Sequence, residues 1–417
     1  MRLFIEPVEP LMFRSSRPFD AGENNFAESI FPPTPETLQG AIRATIAANW
    51  VPGKDIAEAF RDPTLVALIG NTTHYGRFRI TGLSLGRYKK STANQQIEGG
   101  SQKNAGVQQA ERIFPMPTHI LEEDGMNKRQ AILLPELPAS PDNEPKKDTV
   151  HTNLPEGMRL LYPRPRLDSI DGKVEPMRGW LTEHVLQRIL GIAGEPAGKI
   201  LSDEEIIKES DIFVRESRLG IGMNNRTKTT EEGLLYQTEM IRMNHDYKSA
   251  YTYGFVVDVR LTTESDPQQL LNDKQTQDIL HLPDQGWMIL GGERRAAQFT
   301  VIHTESRDKD QAATIQPHNL LYLATPAVFR RGWQPFNWQE FVSPAQKPVA
   351  VAMTRYQSIG GWRLDPNHAA GSNKTIYRCV PAGTIYYFDQ PVQPKQPFTE
   401  LGTEIGYGIT IGGDWKR

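Results

Sequence analysis

Cysteine is nearly absent: Cys379 is the single thiol among 417 residues. No disulfide and no cysteine-built zinc cluster can form within the chain, which fits a reducing compartment. Metal-ligand spacing is missing too, because none of the nine histidines sits in an HExxH or comparable pair. There is no GxSxG elbow and no GxxxxGK[ST] loop, which disfavours a serine hydrolase and a nucleotide-binding enzyme. Acidic residues are scattered, without a compact carboxylate pair for general acid–base work. No window approaches the roughly 18 apolar residues of a membrane span. Pro7 and Glu9 interrupt the apolar start "MRLFIEPVEPLMF", which argues against a signal peptide. Positive charge is not in excess either: the formal net charge is −3 and the pI about 6.3. Contact with nucleic acid must then come from a local patch, not from bulk attraction. The expectation is a soluble cytoplasmic protein that uses no metal or cofactor.

Glycine and proline are plentiful, at 34 and 31 residues, so loops must surround whatever cores the 38% hydrophobic share builds. The length suggests about two to three domains. In "FPPTPETLQGAIRATIAANW", Thr34 can cap a helix, Pro35 suits its first position, and Leu38, Ile42 and Ile46 follow at helical spacing. Pro176 to Gly194 reads as a second helix, and Ser202 with Glu205 forms a capping-box pair. The C-terminal half is strand-like, in short runs such as "YGFVVDVRL", "GWMILGG", "NLLYLATPAVF" and "YRCVPAGTIYYF", with Pro381-Ala382-Gly383 as a hairpin loop. Few helical patterns separate these runs. An α+β protein on antiparallel sheets is expected, not a doubly wound parallel sheet. Residues 91–112 and 138–157 are too polar to order themselves and read as inserted loops.

Three stretches carry candidate chemistry. "RESRLGIGMNNRTKTTEEGLLY", Arg215 to Tyr236, combines Arg215, Arg218, Arg226 and Lys228 with Gly220, Gly222 and a polar run that includes Asn225. It reads either as a basic hairpin that clamps single-stranded nucleic acid or as an ordinary solvated hairpin. "RFRITGLSLGRYKK" carries Arg77, Arg79, Arg87, Lys89 and Lys90 with no acidic residue, and its alternation suggests one basic strand face. "EIGYGITIGGDWKR" places Gly406, Gly408, Gly412 and Gly413 within eight residues. Too few residues follow for a phosphate-binding helix, so it reads as a kinked terminal strand, or as backbone that touches another backbone of protein or nucleic acid.

Several motifs together resemble one family. "FRSSRPFDAG" and "FPPTPETLQGAIRA", then "ESRLGIGMNNRTKTTEEGLLY", "LGGERRAAQF", "YLATPAVFRRGW", "VPAGTIYYF" and the closing glycine motif are similar, in the same order, to a repeat-associated RNA-binding (RAMP) subunit of Cmr-type, type III-B CRISPR effector complexes. That subunit binds the 5′ tag of the guide RNA. The resemblance covers both ends and most of the chain between, except 91–112 and 138–157.

It implies two ferredoxin-like, RRM-related domains with antiparallel sheets and long inserted loops, divided at 1–240 and 241–417. It also implies a non-catalytic subunit whose partners are the guide RNA, the large polymerase-like subunit and a backbone RAMP subunit. For phosphates, Arg17, Arg43, Arg226 and Lys228 are the candidates. Asn225 is a candidate for a phosphate or base edge, and Gly220, Gly222, Gly406 and Gly408 for close backbone approach. The competing reading is a metal-independent endoribonuclease that matures precursor guide RNA, with His245 beside Tyr247 and Lys248 as its weak candidate site.

Overall fold

Leu3 and Ile5 are buried on one side of the strand Arg2–Pro7 and Phe4 on the other, so this first strand has both faces covered. In the computed structural model the described residues are 1–15, 26–90, 106–123, 129–136, 154–165, 173–191, 200–223, 226–227, 229–244, 249–303, 316–365, 368–395 and 397–415. Arg2–Pro7 lies in a seven-stranded sheet. Its order is Gln285–Leu290, Arg295–Ile302, Arg2–Pro7, Tyr251–Leu261, Phe78–Lys89, Glu111–Pro115 and Trp180–Thr182, with antiparallel neighbours throughout. One face packs on the helix Pro35–Trp50, through Leu38, Ile42 and Ile46, and on Leu280 of the helix Asp273–Leu280. On the other face Phe4, Tyr88, Val256 and Ile302 gather around Val107. Arg2 and Asp258 meet there in a buried bidentate pair at 2.5 and 2.8 Å.

The architecture is mixed α and β with mostly antiparallel sheets. Strands from both sides of residue 240 join in one sheet, and Tyr251–Leu261 is wedged between Arg2–Pro7 and Phe78–Lys89. The division expected at 240/241 therefore does not coincide with a sheet boundary.

A five-stranded sheet follows, built from Val342–Ser343, Ile385–Pro394, His318–Leu323, Thr410–Gly413 and Ala350–Ala352. Leu320, Tyr322, Ile385 and Tyr387 face the helix Glu183–Leu190 and Trp415, while Leu321, Leu323, Tyr386 and Phe388 face Trp338, Phe341 and Phe398. The reading of Pro176 to Gly194 as one helix is corrected. A strand occupies Trp180–Thr182, the Thr182 hydroxyl caps Val185 N–H, and among the described residues of this stretch only Glu183–Leu190 is helical. The bond from Ser202 N–H to Glu205 is present at 2.9 Å, but it closes a turn and no helix starts there. Pro381 to Gly383 turns the chain without making a hairpin, because Tyr377–Cys379 pairs with Gln357–Ile359 and Ile385–Pro394 belongs to the five-stranded sheet. Of the expected loop 91–112, residues 106–108 form a helical turn and Glu111 and Arg112 begin a strand.

Candidate nucleic-acid interface

Phe213–Met223 and Thr230–Met243 pair in register from Phe213↔Met243 to Ile221↔Leu235, forming a two-stranded arm. Its base is held. Phe213, Met240, Ile241 and Met243 are buried, and Leu11 and Ile241 bond in both directions at 2.7 Å. The Arg215 guanidinium donates to Glu239 Oε1 at 2.6 Å and to the Ser29 carbonyl at 3.0 Å, tying the arm to the segment before the helix Pro35–Trp50. The short strand Phe26–Ala27 adds to the arm in parallel at Gln237 and Thr238, and farther out its apolar side chains are open. Leu219 is 74% exposed, Ile221 and Met223 about half exposed, and Leu235 likewise. Arg226 is exposed in the turn that joins the strands. Asn225 and Lys228 lie outside the described residues, as do Arg17 and the trio His245, Tyr247 and Lys248.

The glycines of the arm serve its own geometry. Gly220 stands opposite Tyr236, and a Cβ there would overlap the tyrosine ring. Gly222 falls at the shift of register between Ile221↔Leu235 and Met223↔Thr230.

A groove of about 620 Å³ opens at the arm's base, between the two main sheets. Phe31, Pro33, Leu85, Phe255 and Ile359 line it with apolar surface, and Ser84, Thr325, Gln357 and Arg215 contribute polar groups. Such a concave site, apolar with a few polar groups, suits a ligand or an inserted side chain.

The remaining sequence candidates are woven into the protein. Arg43 on the helix Pro35–Trp50 is half-buried, donates to the Asn71 carbonyl at 3.0 Å, and has its pKa lowered by desolvation. Gly406 (φ 96°) and Gly408 (φ 68°) are both buried, in a turn before the last strand. Gly408 N–H donates to the Pro326 carbonyl at 2.8 Å, and its own carbonyl accepts from Phe398 N–H at 2.7 Å. A Cβ at Gly406 would stand 2.7 Å from Ile80 Cγ2. The close approach expected of these glycines is to this chain's own backbone and side chains. The strand itself is shorter than the alternation suggested, only Thr410–Gly413, because positive φ at both glycines breaks the extended run.

The single basic face expected of Phe78–Lys89 is also corrected. A bulge opposite Asp258 and Val259 leaves Thr81 as an extra residue. Ile80 and Leu83 then share the helix-side face although they are three apart, so Arg79 and Arg87 point to opposite sides. Arg87 pairs with Glu111 at 2.6 Å and stacks 4.0 Å over Tyr251, while Arg77 pairs with Glu264 at 3.0 Å.

The apolar stripe on the arm was missed when its polar residues drew attention. Its signal was present in Leu219, Ile221 and Met223 at every second position. Among the described residues, no group of three or more His, Cys, Asp or Glu side chains is placed to hold a metal ion. No helix among them is long and apolar enough to cross a membrane.

Among solved structures the chain is similar to one in the cryo-EM structure of the type III-B Cmr-beta bound to cognate target RNA and AMPPnP, at 16% identity, covering 93% of this chain and 86% of that one, with a TM-score of 0.41. It is likewise similar to one in the type III-B Cmr-beta bound to cognate target RNA, at 16% identity over the same shares and a TM-score of 0.42. A chain of the apo state of Cmr-beta matches at 10% identity, over 72% of this chain and 95% of that one, with a TM-score of 0.27. No curated protein matches. The model of one family, CRISPR-associated protein (Cas_Cmr3), matches residues 3–415, and the chain belongs to that family.

Proposed function

We propose that this protein is a non-catalytic, RNA-binding subunit of a type III-B CRISPR effector complex, acting in the cytoplasm in antiviral defence. In this reading it grips the single-stranded 5′ tag of the guide RNA and docks the large polymerase-like subunit and a backbone RAMP subunit. Membership of the Cas_Cmr3 family over nearly the whole chain is the observation that carries it. The chain order also supports it. Strand Arg2–Pro7, helix Pro35–Trp50, strands Phe78–Lys89 and Tyr251–Leu261, helix Asp273–Leu280 and strand Arg295–Ile302 follow one another. With the four strands numbered along the chain, the sheet order is 4-1-3-2, which reads as a ferredoxin-like unit. The five-stranded sheet with the helix Glu183–Leu190 is our candidate for the second such unit.

A long arm with Arg226 in its turn suits a single strand, whose phosphates need only a few cations and whose bases can lie against apolar side chains. The near-neutral whole is compatible with this, because partners complete the groove. The test is binding of labelled guide RNA, with and without its 5′ tag, by the subunit together with its large partner in EDTA. Tag-dependent binding without cutting is expected. Site-specific cutting that disappears in His245→Ala would replace this reading with the endoribonuclease.

A further inference from the structure

The strand Gln285–Leu290 ends the seven-stranded sheet and, among the described residues, pairs on one side only. The opposite end of that sheet is closed, because Trp180 and Ile207 exchange backbone hydrogen bonds at 2.9 Å. Exposed edges in natural proteins usually carry lysine, proline or a bulge that deters pairing. Gln285–Leu290, "QGWMIL", has neither a charge nor a proline and pairs in unbroken register with Arg295–Ile302. Met288 and Leu290 anchor it in the core, while Trp287 is 64% and Ile289 48% exposed.

These side chains belong to a row. Ile289 stands opposite Ala296, whose carbonyl accepts from Val8 N–H at 3.2 Å, and Val8 is 51% exposed. Aliphatic surface thus runs from Val8, just past the strand Arg2–Pro7, across two strands and stops at the open edge. Its rim is charged. Glu9, Asp284, Glu293 and Arg294 are exposed beside it, with Arg295 ion-paired to Glu293 at 2.6 Å and His303 3.2 Å from Asp284, so the charges are of both signs.

We infer that Gln285–Leu290 is the docking edge for an extended segment of a different protein subunit, added as an eighth strand. The segment carries apolar side chains at alternate positions. Unpaired strand groups are satisfied in series only by another strand, which fixes the occupant's shape. Alternation of Trp287 and Ile289 fixes where its apolar side chains fall. A nucleic acid offers no such row of alternating donors and acceptors, and the proposed place in an effector complex makes another subunit, not a second copy, the occupant. The inference rests on the proposed function only in looking for the partner among the other subunits of the effector complex.

The test is hydrogen exchange of the amides of residues 285–290 in the full-length wild-type chain, alone, with guide RNA, and in the complex reconstituted from its subunits. Slowing of about tenfold or more in the complex, and in neither other sample, is expected. The double variant Trp287→Lys, Ile289→Lys changes only solvent-facing side chains. It should melt as wild type does yet enter the complex with affinity reduced about tenfold or more. Unchanged exchange in an assembled complex overturns the inference. So does protection by RNA alone, or protection in a wild-type homodimer that the double variant abolishes. Loss of tag discrimination with edge protection intact would count against the proposed function and leave this inference standing.

Discussion

Ile80 N–H donates to the Glu404 carbonyl at 2.9 Å, and this single backbone bond joins the bulged strand of the seven-stranded sheet to the glycine turn that leads into the five-stranded one. The Ile80 side chain also presses on Gly406, so the turn meets this strand where there is no room for a Cβ at 406.

Gly408→Ala should therefore be severe. The residue sits at φ 68°, and a Cβ would lie 2.6–2.8 Å from Phe398 backbone atoms. Left-handed backbone costs roughly 1–3 kcal/mol for a non-glycine residue, before the overlap is counted. The expected outcome is a loss of at least about 3 kcal/mol in urea unfolding, or failure to fold. Wild-type-like melting would show that this turn yields.

Glu239→Ala should loosen the arm and leave the body intact. Arg215 would keep its bond to the Ser29 carbonyl, at 3.0 Å, and a long ion pair with Glu209, at 3.9 Å. Because Arg215 is partly exposed, the local loss is on the order of 1 kcal/mol, or about fivefold faster amide exchange in 214–221 and 235–242. The global melting temperature should barely move. A large drop in it would mean that the arm's base is part of the main core.

His119 predicts a pH dependence. It is fully buried, Nδ1 finds no partner among the described residues, and burial alone pushes its pKa down to about 3. Its ordinary value is near 6.5, so below that pH the unfolded chain binds a proton that the folded chain refuses. This contribution is complete above about pH 6.5 and is lost as the pH falls toward 3, by up to about 1.4 kcal/mol per unit. His119→Leu should flatten the stability curve over that window. A variant with the wild-type slope would place the dependence elsewhere.

Arg226→Ala with Lys228→Ala tests the arm as a phosphate contact. Removing two such contacts should make the slope of log affinity against log salt shallower by roughly 1.4 units, about 0.7 for each. The loss should be similar for different RNA sequences. Asn225→Ala is the contrast: if it meets a base edge, its effect depends on the tag sequence while the salt slope stays put. An unchanged slope in an assembled complex would take the arm out of the RNA path.

What could be read beforehand follows from where the physics is local. Val256, Val257 and Val259 make Tyr251–Leu261 a strand in any context, and Thr34 with Pro35 marks the start of the first helix. The arm was legible because two long runs flank a polar turn. The bulge at Thr81 was not, since one extra residue leaves no trace in composition yet sends Arg79 and Arg87 to opposite sides. Nor was the fate of the terminal glycines. Close approach follows from a missing Cβ, but whether the neighbour is RNA or Phe398 depends on strands far away in the chain. The surroundings of Arg43 were hidden for a related reason. Its helix was readable, but the Asn71 carbonyl that receives its guanidinium comes from a turn 28 residues on.

The place of Tyr251–Leu261 has a consequence for synthesis. Arg2–Pro7 and Phe78–Lys89 do not pair with each other, and the strand that bridges them is made last of the three. During translation Arg2–Pro7 must wait without either of its partner strands, and Phe78–Lys89 has only the short strand Glu111–Pro115 beside Leu85 to Arg87, until about 170 further residues have left the ribosome. At about 5–20 residues per second that exposure lasts on the order of ten seconds or more. The nascent chain is thus an aggregation hazard for most of its synthesis, and fragments ending near residue 240 should be recovered insoluble.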